Sequence, residues 1–386
     1  MPEESLHPGD AVTLPLPAVD DLLAGLLATG RTVLGPVVRD GAVVLGEIRA
    51  AADLARNVAD EQEKGRYRLR AEPGAAFAYT HGPDSVKRAL HPPACDLVRA
   101  RLADRSFGVD APPPSGAGLA LFGLRSCDLA ALRVLDRVLL GGAWADPVYA
   151  SRRDGAFLVA FTCTRSGGTC FCASTGTGPR PEGPFDVRLT ELGGPGGPRL
   201  LAEAGSARGA ALLSGVPHRP APEADRAAAE QAADAAARGQ KRRLNTDGLA
   251  ARLGTAWEHP RFDDVARRCL GCGSCTLVCP TCFCTTVEDR SGLAGTEAVR
   301  TRRWDSCFSP DHSYIHGGSV RTSVRARYRQ WLLHKLATWT EQFGLAGCVG
   351  CGRCITWCPA GIDLTEEAWA LGRSTGAPEE SPDGNA

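Results

Sequence analysis

The chain has 386 residues, 43% of them hydrophobic and 23% charged, with 44 basic and 44 acidic side chains and a formal net charge of zero. This is the composition of a water-soluble protein of two or three globular domains, and it excludes an electrostatic case for nucleic acid or an anionic membrane surface. No stretch approaches the roughly 18 apolar residues of a membrane span, and the first residues have neither the basic nor the apolar region of an export signal. Sixteen cysteines in such a chain point to a reducing cytoplasm and metal ligation rather than disulfides. Only four basic residues are lysines (Lys64, Lys87, Lys241, Lys335), which reads as arginine replacing lysine throughout the chain.

Residues 1–218 read as an N-terminal α/β domain. Thr32-Val-Leu, Ala42-Val-Val-Leu, Leu119-Ala-Leu-Phe and Phe157-Leu-Val-Ala-Phe have strand length and Gly, Asp or Pro punctuation. Asp128 to Leu140 has a helical period, with Leu132, Leu135 and Leu139 on one face and Asp128 as N-cap. Residues 177–218 are rich in Gly and Pro and predict loop with a little strand. The Ala/Glu/Asp/Arg/Gln run from Ala221 to Lys241 predicts a solvated connecting helix, giving a helical linker over 219–244. Residues 245–375 then form a mainly helical domain, and 376–386 a polar, disordered tail. Within 245–375, Val324 to Phe343 is an amphipathic helix. Tyr328, Trp331, Leu332, Leu336, Trp339 and Phe343 form its packing stripe, and Gly344 ends it.

Two cysteine runs decide the chemistry of that domain: Cys269-x2-Cys272-x2-Cys275-x3-Cys279-Pro280 and Cys348-x2-Cys351-x2-Cys354-x3-Cys358-Pro359. The C-x2-C-x2-C-x3-C-P spacing holds [4Fe–4S] clusters, and two copies mark a two-cluster ferredoxin module. Three thiolates on one tight loop reach three irons of one cube, while the fourth, on the following turn, ligates the other cluster. The first set is therefore Cys269, Cys272, Cys275 and Cys358, and the second Cys348, Cys351, Cys354 and Cys279. Gly271, Gly273, Gly350 and Gly352 stand where a backbone curling around an inorganic core needs positive φ. The module is split by a 68-residue insertion. The expected class is thus α+β or mixed, an α/β domain followed by a helical domain with a split two-[4Fe–4S] ferredoxin-like module.

Eight cysteines remain. Cys127, Cys163, Cys170 and Cys172 fall on loops at one sheet edge, provided the runs before Cys127 and Cys163 are parallel strands. Four thiols there suffice for a third [4Fe–4S] cluster; buried or incidental thiols are the alternative. Zinc suits them less, since Cys-x-Cys is tighter than the usual spacing of zinc ligands. Cys282, Cys284 and Cys307 stay unassigned between a further metal site, a redox-active pair and packing beside the clusters. Cys95 reads as structural. Arg267, Arg268, Arg302, Arg303, Arg321, Arg325, Arg327 and Arg329 form either a solvated face or a source of positive charge that raises cluster potentials. His312, His316 and His334 read as surface or packing residues.

The chain resembles the beta subunit of soluble nickel–iron hydrogenases (sulfhydrogenases), and also the A subunit of anaerobic sulfite reductases. The resemblance lies in Gly35-Pro-Val with Asp40-Gly41, Gly82-Pro-Asp-Ser-Val-Lys-Arg, Gly123-Leu-Arg-Ser-Cys-Asp-Leu, Asp146-Pro with Arg152-Arg153, and Cys170-Phe-Cys172. It continues through Cys279-Pro-Thr-Cys-Phe-Cys284, Trp304-Asp-Ser-Cys307 and Cys348-Val-Gly-Cys-Gly-Arg-Cys. It implies a cytoplasmic, anaerobic electron-transfer subunit between a flavin, NAD(P)-binding subunit and a NiFe hydrogenase or sulfur-reducing subunit. In the sulfite reductase setting it would instead feed a siroheme subunit. The chain has no Gly-x-Gly-x-x-Gly between a strand and a helix and no separate Cys-x-x-Cys pairs for nickel and iron, which favours a carrier over a complete enzyme. The competing reading is a thiol or sulfur reductase working through Cys282, Cys284 and Cys307.

Overall fold

In the computed structural model of the chain, the described residues are 5–104, 106–111, 118–194 and 197–372. The tail expected at 376–386 lies outside them. In chain order, β1 (Ala11–Pro15) precedes three hairpins: β2 (Thr32–Arg39) with β3 (Ala42–Glu47), β4 (Val58–Glu63) with β5 (Arg66–Ala71), and β6 (Ala94–Ala103) with β7 (Ser106–Asp110). Then come β8 (Leu119–Leu124), β9 (Phe157–Phe161), β10 (Val187–Leu192), β11 (Arg199–Ala204) and the short β12 (Arg219–Pro220). The insertion between the cysteine runs supplies β13 (Thr285–Ser291) and β14 (Glu297–Trp304).

The main sheet has the order β12-β1-β11-β10-β9-β8-β2-β3. Its centre, β2-β8-β9-β10, is parallel, and antiparallel strands close both edges. β8 and β9 are near-continuous apolar runs because both of their faces are covered. The helix Ala18–Ala28 buries Leu22, Leu23 and Leu26 on one face. The helix Ser126–Leu139 buries Leu129, Leu132 and Leu135 on the other.

Three expectations are corrected. Asp128 is not an N-cap: the helix starts at Ser126, and the Asp128 carboxylate accepts the Arg125 amide from the first turn at 3.1 Å. Residues 177–218 are far more regular than a loop, holding β10, β11 and the helix Ala207–Ser214; the Gly and Pro there punctuate a hairpin. The connecting helix, Glu223–Arg238, is packed rather than solvated, with Ala229, Ala233 and Ala236 buried against β10 and β11. An alanine stripe has too little apolar surface to stand out in sequence, yet it lets a helix lie close to a sheet. The C-terminal part carries strands besides its helices. β13 and β14 join β6 and β7 in a four-stranded antiparallel sheet of order β13-β14-β6-β7, so the insertion pairs with the N-terminal half.

The helices Leu249–Gly254, Arg261–Arg268, Val324–Leu333 and Leu364–Leu371 enclose a second core around Phe262, Phe308, Tyr328, Trp331 and Leu332. The long helix expected to run from Val324 to Phe343 exists, but a π turn at His334–Thr338 interrupts it. Gly344 ends it with φ 74°. No helix among the described residues is long and apolar enough to cross a membrane.

Candidate iron–sulfur sites

Cys269 caps the helix Arg261–Arg268, its amide donating to the Val265 carbonyl at 2.8 Å. Gly271 and Gly273 follow with φ of 64° and 75°, and the one-turn helix Ser274–Leu277 begins at once. The second run repeats the device, with Gly350 at 61°, Gly352 at 74° and the helix Arg353–Thr356. Only glycine takes these angles without strain, and they wind three cysteines of each run onto one loop.

Cys269, Cys272 and Cys275 line a cavity together with Cys358 and Cys354 of the other run, walled by Phe308, Tyr328, Trp331 and Ile362. Cys348, Cys351 and Cys354 in turn have Cys279 as their neighbour. Burial, then crowding by the other sulfurs, pushes the Cys275 and Cys354 thiols well up, so they keep their protons until a metal displaces them. Backbone amides point at the sulfurs: Gly271 N lies 3.4 Å from Cys269 Sγ and Ile362 N 3.4 Å from Cys358 Sγ. Lys335, buried in the π turn, donates from Nζ to Cys279 Sγ at 3.4 Å and to the Gly347 carbonyl at 3.2 Å. Lys87, equally buried, donates to the carbonyls of Thr276 and Leu277 and lies 4.0 Å over the Trp304 ring. Four-thiol sets on glycine cradles, with N–H groups aimed at sulfur, fit an anionic iron–sulfur cluster.

The N-terminal cysteines also converge. β8 and β9 are parallel neighbours, and Cys127 and Cys163 follow their carboxyl ends. Cys163 is the neighbour of both Cys170 and Cys172, and Cys127 of Cys172. Cys172 Sγ accepts from Gln240 Nε2 at 3.1 Å, and Cys170 Sγ lies 3.7 Å from His81 Nε2. Burial and the Arg353 charge hold the His81 imidazole well below its ordinary range, hence neutral. This loop lies directly on the second run. Phe171 N donates to the Gly350 carbonyl at 2.8 Å, Thr177 Oγ1 to the Val349 carbonyl at 2.8 Å, and His81 Nε2 stands 2.5 Å from the Cys351 carbonyl. Arg353 fills the seam between them, 3.0 Å from Asp128 Oδ1 and 3.9 Å from Cys127 Sγ.

Cys282, Cys284 and Cys307 do not form one group. Cys282 is hydrogen-bonded to Cys279. Cys284 pairs with Cys307 and with His312, whose Nδ1 lies 2.9 Å from Asp305 Oδ2. The hydrogen bond to Cys307, helped by that to His312, draws the Cys284 thiol down to about 4 against the effect of burial. The same contact with Cys284, then Asp305, raises His312 to about 9. His312, expected as a surface or packing residue, thus lies against Asp305 and beside the Cys284 thiol. Among the described residues no three His, Cys, Asp or Glu donors close tightly enough for a single metal ion. Cys95 sits half-buried in β6 opposite Arg302.

Most of the C-terminal arginines face carboxylates. Arg267 and Arg268 pair with Asp264, Arg325 and Arg329 with Glu258, Arg303 with Glu288, and Arg302 with Asp146. Beside Arg327, which faces Cys269, four further cations face sulfur: Lys87, Lys335, Arg125 and Arg353. Sequence reasoning missed them. The available signal was the rarity of lysine, since two of the four lysines are buried at these sites.

Residues 268–362 match the family model described as a 4Fe-4S dicluster domain. The repeated loops thus belong to an electron-transfer iron–sulfur protein with two [4Fe–4S] clusters. The chain is also 36% identical over 283 residues to Sulfhydrogenase 2 subunit beta of Pyrococcus furiosus, an alignment spanning 72% of this chain and 81% of that protein. It belongs to the family of sulfhydrogenase beta subunits.

Proposed function

We propose that this chain is the electron relay of a multi-subunit oxidoreductase. It would pass electrons between a flavin, NAD(P)-binding subunit and a NiFe hydrogenase or sulfur-reducing catalytic subunit in a reducing cytoplasm. A [4Fe–4S] cluster supplies one-electron chemistry with little change in its surroundings. Cys269, Cys272, Cys275 and Cys358 hold one cluster, and Cys348, Cys351, Cys354 and Cys279 the other. Cys127, Cys163, Cys170 and Cys172 hold a third. The observation that carries this reading is the seating of the Cys170–Cys172 loop on the second cysteine run, through the Phe171 to Gly350 hydrogen bond. It supports reading the N-terminal and second sulfur sets as neighbours in one row. Phe308, Tyr328 and Trp331 keep water from the first set, Lys335 and Arg353 offset its neighbours' negative charge, and Gln240 orients Cys172.

The test is iron and sulfide content with low-temperature electron paramagnetic resonance on protein purified without oxygen. About twelve irons per chain, falling to about eight in Cys163→Ser, is the expected result. About eight in the parent chain would make the N-terminal thiols structural. Absence of any reducible cluster would overturn the relay.

A further inference from the structure

Cys284 and Cys307 stand outside all three sulfur sets. Cys284 immediately precedes β13 and Cys307 closely follows β14, whose ends pair Thr285 with Trp304. The Asp305 amide donates to the Cys284 carbonyl at 2.9 Å, fixing the two segments side by side. The Cys284 thiol has the Cys307 thiol and the His312 ring as neighbours. His312 is oriented by Asp305, which is itself held by Ser306 N at 2.7 Å and Ser309 Oγ at 2.6 Å. One sulfur thus has a second sulfur within reach and an imidazole positioned by a carboxylate, the layout of an activated thiol with a resolving partner. Both cysteines are half-buried rather than sealed in. Lys335 adds positive charge near Cys307, which also neighbours Cys275 of the first cluster set.

We propose that Cys284 and Cys307 form a redox dithiol that reduces the disulfide bond of an incoming thiol compound. Cys284 sulfur attacks one sulfur of R–S–S–R; that S–S bond breaks, and the first R–SH leaves with a proton handed over by His312. Cys307 then attacks the mixed disulfide, the second R–SH leaves, and a Cys284–Cys307 bond forms. The pair has lost two electrons and two protons, and the substrate has gained them. Two electrons and two protons restore the dithiol, and this return half rests on the electron-relay reading.

The experiment uses the whole chain, purified without oxygen, mixed with glutathione disulfide or, separately, with insulin. Quenching, alkylation and peptide mass mapping follow. The parent chain is expected to acquire a Cys284–Cys307 disulfide, Cys307→Ser to trap the mixed disulfide on Cys284, and Cys284→Ser to form neither. His312→Gln should slow the reaction by roughly 10²-fold. Reaction with glutathione disulfide alone assigns a small substrate, and with insulin alone a protein one. The proposal is overturned by inertness to both probes, by a trapped adduct on another cysteine, or by an undiminished Cys284→Ser rate. Cluster spectra recorded on the same samples separate the two readings, because missing clusters would sink the relay while the thiol map stayed readable.

Discussion

Gly350 is one of the places where the two halves of the chain come close. Its φ is 61°, and a Cβ there would lie 2.6 Å from Cys172 Cα. Gly350→Ala must therefore strain its own backbone and push the Cys170–Cys172 loop away. The expected cost is about 1–3 kcal/mol, read as a lower melting temperature together with loss of iron from the N-terminal set alone. Lys335 acts by charge. Lys335→Met keeps the length of the side chain but removes a buried cation beside Cys279 and Cys348. The second cluster should then become harder to reduce by on the order of 50 mV, measured by redox titration of its resonance signal. The two cysteine runs were legible because a repeated spacing survives without any knowledge of the fold. Lys335, Lys87 and His312 were not, because nothing in their local sequence says that the chain will bring them to sulfur.

At the scale of elements, the apolar stripe from Tyr328 to Trp339 was legible, but the π turn inside it was not. One wider turn shifts the phase of a helix too little to break a pattern read at 3.6 residues per turn. Lys335 lies in that turn. The strands β8 and β9 followed from apolar runs of strand length, while their parallel pairing, which the cysteine reading had to assume, came from the structure. The one-turn helix Arg353–Thr356 and the first turn of Ser126–Leu139 are tied by the Arg353–Asp128 ion pair, both partners buried. Arg353→Leu leaves the Asp128 carboxylate buried without its cation, and a loss of about 3–5 kcal/mol in denaturant melts is expected. Adding Asp128→Asn should recover part of it, because the stranded charge is then gone. No recovery would mean that Arg353 acts through the Gly82 carbonyl instead.

Across the whole molecule, composition suggests two parts, but the way the two halves of the chain interlock was not legible from it. Pairing of β6 with β14 joins residues about two hundred positions apart, such as Asp96 and Thr301, whose side chains meet at 2.8 Å. Strand pairing at that range leaves no periodic mark in either segment. The four-stranded sheet also sets an order of events during synthesis. The β6–β7 hairpin leaves the ribosome long before β14 exists, so one of its edges must wait unpaired while the whole N-terminal half is already made. A fragment ending at residue 244 should therefore self-associate in size-exclusion chromatography where the full chain stays a defined species. Completion of that sheet and assembly of the cysteine loops fall in the same late interval of translation. The supply of iron and sulfide thus becomes a matter of timing as well as of chemistry.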